Sequence, residues 1–315
     1  MGRARRVIDE IGMFFRYAGG LREFLQSPLA PAECRNIVEA SCREREQSFL
    51  QILRRSIFGF DKSPYLALLR WARIDFGDIE RMTKRDGVEP ALKAMDEGGV
   101  YTTIEEVKGR RPVCRPGLEL PVDPTSFDNP FLPAHFQALT GGSGGMRRRL
   151  NIDLDALVYD AACHSIFLDA FGLAGSPYGI WRPVPPNASG VSKALHHLKT
   201  GRPVARWFSQ TPLRYGAGQW KYAAFTRYTA VATFLAGKAL PTPAYTPLNE
   251  ARQVARWLRR MKDAGEPAHL DCGASAAVRA CLAARDEGLD ISGTFMRLGG
   301  EPLTPGKAKV FGESG

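Results

Sequence analysis

The stretch Thr140, Gly141, Gly142, Ser143, Gly144, Gly145, followed by Met146 and then Arg147, Arg148 and Arg149, gathers residues that could do chemistry. So much glycine is tolerated where a backbone turns sharply or approaches something closely. Four chemistries compete with a plain connection between two elements. A Walker phosphate loop ends in Gly-Lys-Ser/Thr, and here Gly145 is followed by Met146 and Arg147, so that pattern is not met. A dinucleotide fingerprint needs a third glycine where Arg147 stands. The nucleophile-elbow pattern Gly-x-Ser-x-Gly is satisfied with Ser143 as the nucleophile, and His196, His197 and His269 lie downstream as bases. The arginine-rich "MRRRLNID" is a poor opening for the helix that an elbow requires. The remaining chemistry is a phosphate loop of another kind, in which glycines turn backbone N–H groups toward a polyphosphate while Thr140 and Ser143 add hydroxyl donors.

Other reactive side chains have simpler readings. His196 and His197 are adjacent on an expected helix and should point apart, so at most one faces inward. Trp181, Trp207, Trp220 and Trp257 read as core or rim residues. Cys272 reads as a buried, inert thiol. Glu105 and Glu106 precede the basic "KGRR" and read as a solvated charged face. The six cysteines, Cys34, Cys42, Cys114, Cys163, Cys272 and Cys281, include no C-x-x-C pair, so zinc or dithiol chemistry is not expected.

These residues must be positioned by regular elements. Residues 1–110 read as an N-terminal helical segment: one long helix from Pro31 to Gly59, a second opening at Ser63 and Pro64, and a third in "GVEPALKAMDEGGV". "CRPGLELPVDPTSFDNPFLP" (114–133) holds five prolines and reads as a loop or irregular extended segment. From 111 to 315 strands and helices alternate. The strand candidates are "HFQALT", "RRLNID", "YGIWRPV", "VARWFSQT", "EPAHLDC" and "GTFMRLGGEPL". The helices open near Asp153, Asn187, Asn249 and Ser275. That alternation predicts an α/β fold with a mostly parallel sheet flanked by helices.

The bulk composition bounds the function. The chain has 315 residues, 44% of them hydrophobic and 24% charged, enough for one large domain or two ordinary ones. The net charge of +10 is scattered; it suits polyanions, including nucleotides, coenzymes and nucleic acid, or forms a plain solvated basic surface. No zinc finger, ribonucleoprotein signature or basic zipper is present, so a nucleic-acid partner is not expected. Asp9 and Glu10 interrupt the first twenty residues where a leader needs an apolar run. The most apolar stretch, "YTAVATFLAGKAL", is too short to span a bilayer. A cytoplasmic protein with reduced thiols is the expectation.

In order along the chain, "HFQAL" with "TGGSGGMRR", and then "HLDCGASAAVRACLAARDEGLDISGTFMRLGGEPL", resemble the acyl-adenylate-forming superfamily. Within it, the likeness is to the phenylacetate–CoA ligase branch. "SPYLALLRWARIDFGDIERM" and "GVYTTIEEVKGRRPV" carry a weaker likeness to the same branch. The resemblance implies a nucleotide site of Thr140, Gly142, Ser143, Gly144 and Gly145 on the phosphates, and Gly299, Gly300, Glu301 and Pro302 beside the adenine. It places Ala274 and Ser275 near the acyl pocket. It implies ATP, Mg2+ and coenzyme A, and a reaction that activates a carboxylic acid as its adenylate before transfer to a thiol. Met146 and Arg147 depart from the family's lysine and proline. The family's later acidic residue, ribose-binding aspartate, hinge arginine and lysine-bearing C-terminal domain have no counterpart before Gly315. The expectation is therefore an incomplete adenylating domain: a fragment, a split reading frame, or a non-catalytic remnant of the fold. A serine hydrolase using Ser143 is the alternative from a different class.

Overall fold

The computed structural model describes residues 3–139, 149–213, 220–238 and 240–312. Two compact units divide the chain, one comprising Ile37–Pro133 and the other containing Met1–Asn36 and Leu150–Gly315. Helix α1 (Arg3–Gln26) opens the larger unit and buries Tyr17, Leu21, Phe24 and Leu25.

The sequence from Pro31 to Gly59 is not one helix. It forms α2 (Pro31–Arg43), breaks at Glu44, resumes as α3 (Arg45–Ile52) and ends in a π-helical turn over Leu53–Phe58. Glu44 sits at φ −90°, ψ 7°, outside the helical well, so the apolar spacing continues although the backbone does not. The smaller unit adds α4 (Pro64–Trp71), α5 (Phe76–Asp86), α6 (Val88–Glu97) and α7 (Ile104–Val107). Pro64 occupies the first helical position of α4, as its fixed φ favours. Helix α7 begins with a capping box: the Thr103 hydroxyl accepts from the Glu106 N–H, and the Glu106 carboxylate accepts from the Thr103 N–H. Glu106 is buried and paired with Arg115 at 3.2 Å, so it is not part of a solvated charged face. The proline-rich segment also begins more regularly than its composition suggests. Antiparallel β1 (Val113–Arg115) and β2 (Leu118–Leu120) form a hairpin whose turn is made by Pro116 and Gly117.

In the larger unit β3 (Phe136–Leu139) pairs with β4 (Arg149–Ile152), and α8 (Leu154–Ala170) follows with Asp153 as its N-cap. The chain continues through β5 (Tyr178–Trp181), α9 (Ser189–Lys199), β6 (Val204–Ser209), α10 (Trp220–Leu235) and β7 (Ala244–Tyr245). It then forms α11 (Ala251–Asp263), β8 (His269–Cys272), α12 (Ala274–Asp286), β9 (Phe295–Leu298) and α13 (Pro305–Gly312). The expected α/β class holds: five strands form a parallel sheet in the order β7-β6-β5-β8-β9, flanked by helices. The apolar run near residue 230 is helix α10, which packs Phe225 and Tyr228 against Tyr17 of α1. Among the described residues no helix is long and apolar enough to cross a membrane.

Each strand alternates its side chains between two helical layers. Tyr178 and Ile180 of β5 and Trp207 of β6 join the core under α8 and α9. Trp181, Phe208, Leu270 and Cys272 join the opposite core under α11 and α12.

Candidate functional site

The strand order places a switch point at the centre of the sheet. From β5 the chain builds outward through β6 and β7, and then returns to lay β8 and β9 on the other side of β5. Open parallel sheets bind ligands beyond the carboxyl ends of their strands at such a point, because the loops there diverge and leave a crevice.

Arg182 stands at this position, immediately after β5. Its Nε donates to Asp271 Oδ1 at 2.6 Å, its Nη2 to the Cys272 carbonyl at 2.8 Å, and its Nη1 to the Gly299 carbonyl at 3.2 Å. One guanidinium thus ties together the ends of β5, β8 and β9. The Arg182 backbone is fixed as well: its N–H donates to Phe208 O and its carbonyl accepts from the Trp207 indole N–H. Asp271 is fully buried, and Arg297 approaches its other carboxylate oxygen at 3.9 Å.

The turn after β9 carries the second part of the site. Gly300 has φ +84°, a backbone geometry that disfavours any residue with a Cβ. The turn aims Glu301 at the first residues of α12. There its Oε2 accepts from the Ser275 N–H at 3.2 Å, from the Ser275 hydroxyl, and from Lys307 Nζ at 2.9 Å. Lys307 and Ser275 hold the Glu301 carboxyl below its ordinary range. A side chain at Gly273 would begin 2.8 Å from Glu301 Oε1, so the carboxylate would have to shift to admit one. Ser275, Gly299, Gly300 and Glu301 are therefore neighbours. Ala274 is fully buried as the first residue of α12, and Pro302 is exposed.

Thr140, Gly142, Ser143, Gly144 and Gly145 lie outside the described residues. The strand before them is described: the Leu139 N–H donates to the Pro186 carbonyl at 2.9 Å, four residues beyond Arg182.

Beneath Asp271, on the α8–α9 side of the sheet, lies a layer of buried polar groups. Arg297 donates to His164 Nδ1. A guanidinium can only donate, so a neutral His164 carries its proton on Nε2, and that N–H donates a hydrogen bond to His197 Nδ1 at 3.1 Å. His197 also interacts with the Pro203 backbone and stacks on Tyr178 with ring centres 4.1 Å apart. Burial holds all the histidines of this layer neutral. His197 and His196 are pushed down to about 3, His269 to about 4, and His164 is lowered further. Burial pushes the Tyr178 hydroxyl and the Cys272 thiol up, so neither ionises near neutral pH.

His196 and His197 both face inward, against the expectation that at most one would. Helix α9 is enclosed on nearly every side, and only Ser192, Lys193 and Ser189 of its residues are partly open. Trp181, Trp207 and Trp257 are buried core residues, and Cys272 is a buried thiol, as expected.

Arg182 and Asp271 carry this arrangement, and neither was expected as a site residue. Each leaves a trace in the sequence: an arginine directly after the apolar "YGIW", and an aspartate inside the apolar "HLDC". Among the described residues no three His, Cys, Asp or Glu side chains come together as a metal site. Magnesium bound with a nucleotide takes most of its ligands from phosphates and water, so the arrangement does not conflict with such an ion. Comparison with protein families, curated proteins and solved structures found no match to this chain.

Proposed function

We propose that the chain is the nucleotide-binding part of an enzyme that activates a carboxylic acid with ATP, forming an acyl-adenylate for transfer to a thiol such as coenzyme A. The observation that carries the reading is the convergence at the switch point. Arg182 bridges β5, β8 and β9 there, and the Gly299–Glu301 turn meets the first residues of α12 at the same edge. The turn and the start of α12 are two of the segments on which the family resemblance rests; Arg182 lies outside it. The third, the glycine run from 140 to 145, leaves a strand tied to the loop that follows Arg182.

Chemistry of this kind depends on positioning and on neutralising phosphate charge more than on a protein nucleophile. Arg182 serves the first need by holding the Gly299–Gly300 backbone at a fixed height above the sheet. Backbone N–H groups of the glycine run, with the Thr140 and Ser143 hydroxyls, serve the second. Magnesium bound with the nucleotide would add positive charge at the phosphates that these groups would hold. Ser143 on this reading donates a hydrogen bond and forms no covalent intermediate.

Titration of the full chain with ATP and magnesium, by calorimetry, tests the reading, followed by carboxylate-dependent exchange of pyrophosphate into ATP. Nucleotide binding that weakens in Arg182→Ala while the fold persists is the expected result. A folded chain that binds no adenine nucleotide at millimolar concentration refutes it. Hydrolysis of an activated ester that vanishes in Ser143→Ala would replace it with the hydrolase alternative.

A further inference from the structure

Helices α1 and α10, strand β3 and the chain from Pro185 to Ala188 enclose a cavity of about 300 Å³. Its chemistry differs from that of the site at the sheet edge. The walls are ring faces: Phe14 and Tyr17 of α1, Phe136 of β3, and Tyr222 and Phe225 of α10. Tyr17 stacks on Phe225 at 4.5 Å, and Phe136 tilts against the same ring at 5.1 Å, so the far wall is rigid.

Polar groups that line the cavity already have hydrogen-bond partners, most of them behind its walls. The Tyr17 hydroxyl bonds Thr229 at 2.8 Å. Gln137 donates to Asn151, and His135 Nδ1 accepts from the Leu154 N–H. The two charged groups at the rim, Lys221 and Glu10, are paired with each other at 2.6 Å. Among the described residues the cavity thus offers rings, and its Lys221 and Glu10 charges compensate each other. A charged guest would have to open that pair or leave its own charge without a partner in an apolar box, and either is costly. An uncharged planar guest loses nothing of this kind and gains offset stacking against the rings. An apolar cavity of roughly half this volume is enough to hold benzene, so one or two rings fit. Phe15, 69% exposed at the mouth, leaves apolar surface in water that such a guest would help to cover.

We propose that this cavity is a binding site for an uncharged planar aromatic molecule of one or two rings. The proposal rests on the cavity alone and stands or falls independently of the nucleotide reading.

The test is calorimetric titration of the full chain at neutral pH with 2-naphthol, and separately with 2-naphthoate, which differs in carrying a charge. Saturable one-to-one binding of 2-naphthol is expected, with 2-naphthoate weaker by about tenfold or more. Ala224→Trp places an indole in the cavity from a half-buried position on α10 and should weaken 2-naphthol by at least about tenfold. Met13→Trp on α1 does the same from the opposite wall and replaces it should Ala224→Trp fail to fold. Glu10→Gln leaves Lys221 without its carboxylate and should narrow or reverse the preference against 2-naphthoate. Absence of saturable 2-naphthol binding overturns the proposal. So does 2-naphthoate binding as well as 2-naphthol in the unaltered chain, or a folded Trp variant that binds 2-naphthol unchanged.

Discussion

The two faces of the parallel sheet are built on opposite principles from the same strands. Toward α11 and α12 the strands present Trp181, Phe208, Leu270, Cys272, Met296 and Leu298, and α12 answers with Ala276, Ala277, Ala280 and Ala284. Small residues on the helix let large ones on the sheet interlock, and that layer depends on close packing alone. Toward α8 and α9 the same strands present Tyr178, His269, Asp271, Phe295 and Arg297, which meet His164, Phe167 and His197. Asp271, at the top of that polar layer, is the residue that Arg182 grips. One face fixes the sheet, and the other connects the interior to the candidate site. The difference predicts two kinds of sensitivity, to volume on the first face and to charge on the second.

The largest effect should come from Asp271→Ala. Arg182, largely buried, would lose the carboxylate at its Nε, and the more open Arg297 would lose a negative charge 3.9 Å away. Removing one partner of a buried pair typically costs about 3–5 kcal/mol, because the other charge is left without compensation. Denaturant midpoints should register that loss. If Asp271→Ala unfolds like the parent chain, charge does not govern this face and the contrast fails.

Acid should separate the faces next. His269 titrates near 6.5 when exposed in the unfolded chain and at about 4 when folded, because burial disfavours the cation. Its folded value is depressed, so its contribution is present in full above pH 6.5. It is lost as pH falls from 6.5 to about 4, where the unfolded chain binds a proton and the folded chain does not. The lost stability is about 3 kcal/mol for this residue, and His196 and His197, at about 3, add in the same direction. Urea midpoints at pH 7 and pH 4.5 would measure the drop, and His269→Leu should make it smaller. An unchanged drop in that variant would place the acid sensitivity elsewhere.

The sheet was legible in the sequence and the division between its two faces was not, for physical reasons. The alternation after residue 111 gave the parallel sheet because each strand is a short apolar run between capped helices. The turn at Gly299–Glu301 and the start of α12 were singled out separately, through the resemblance, and their contact through Ser275 is visible only in the fold. Arg182 and Asp271 were not, since a charge in an apolar strand acquires meaning only from its partner, here 89 residues away. His196 and His197 were misjudged because adjacency argues against a shared face, yet α9 is covered on several faces at once. Helix α10 read only as an apolar run because its apolar residues are spread around the axis rather than confined to one stripe. The break at Glu44 was hidden because apolar spacing resumes in register on the far side of it.

On the packed face a single methyl group should matter. A Cβ on Gly179 of β5 would lie 2.6 Å from the Trp257 ring of α11, closer than any real contact. Gly179→Ala should cost about 1–3 kcal/mol as the indole shifts in a layer that has no slack. Differential scanning calorimetry at pH 7 and pH 5 would give the same loss at both, because no titrating group is involved. A loss that grew on acidification would show that the two faces are coupled through the sheet.

The smallest effect belongs to the contact where the polar network reaches the surface. Glu301 accepts from the N–H and hydroxyl of Ser275, and so satisfies donors at the start of α12 that its N-cap, Gly273, cannot. Ser275→Ala removes the hydroxyl and keeps the N–H, and should cost about 1 kcal/mol or less. The carboxylate is partly exposed, and its pair with Lys307 is weakened by solvent and salt. Amide hydrogen exchange localises so small a change better than a global melt: protection should fall in the first turn of α12 and stay constant in α11. If the loss instead reached His269 and Tyr178, Glu301 would belong to the polar layer and not merely border it, and the candidate site would extend from solvent to the centre of the sheet.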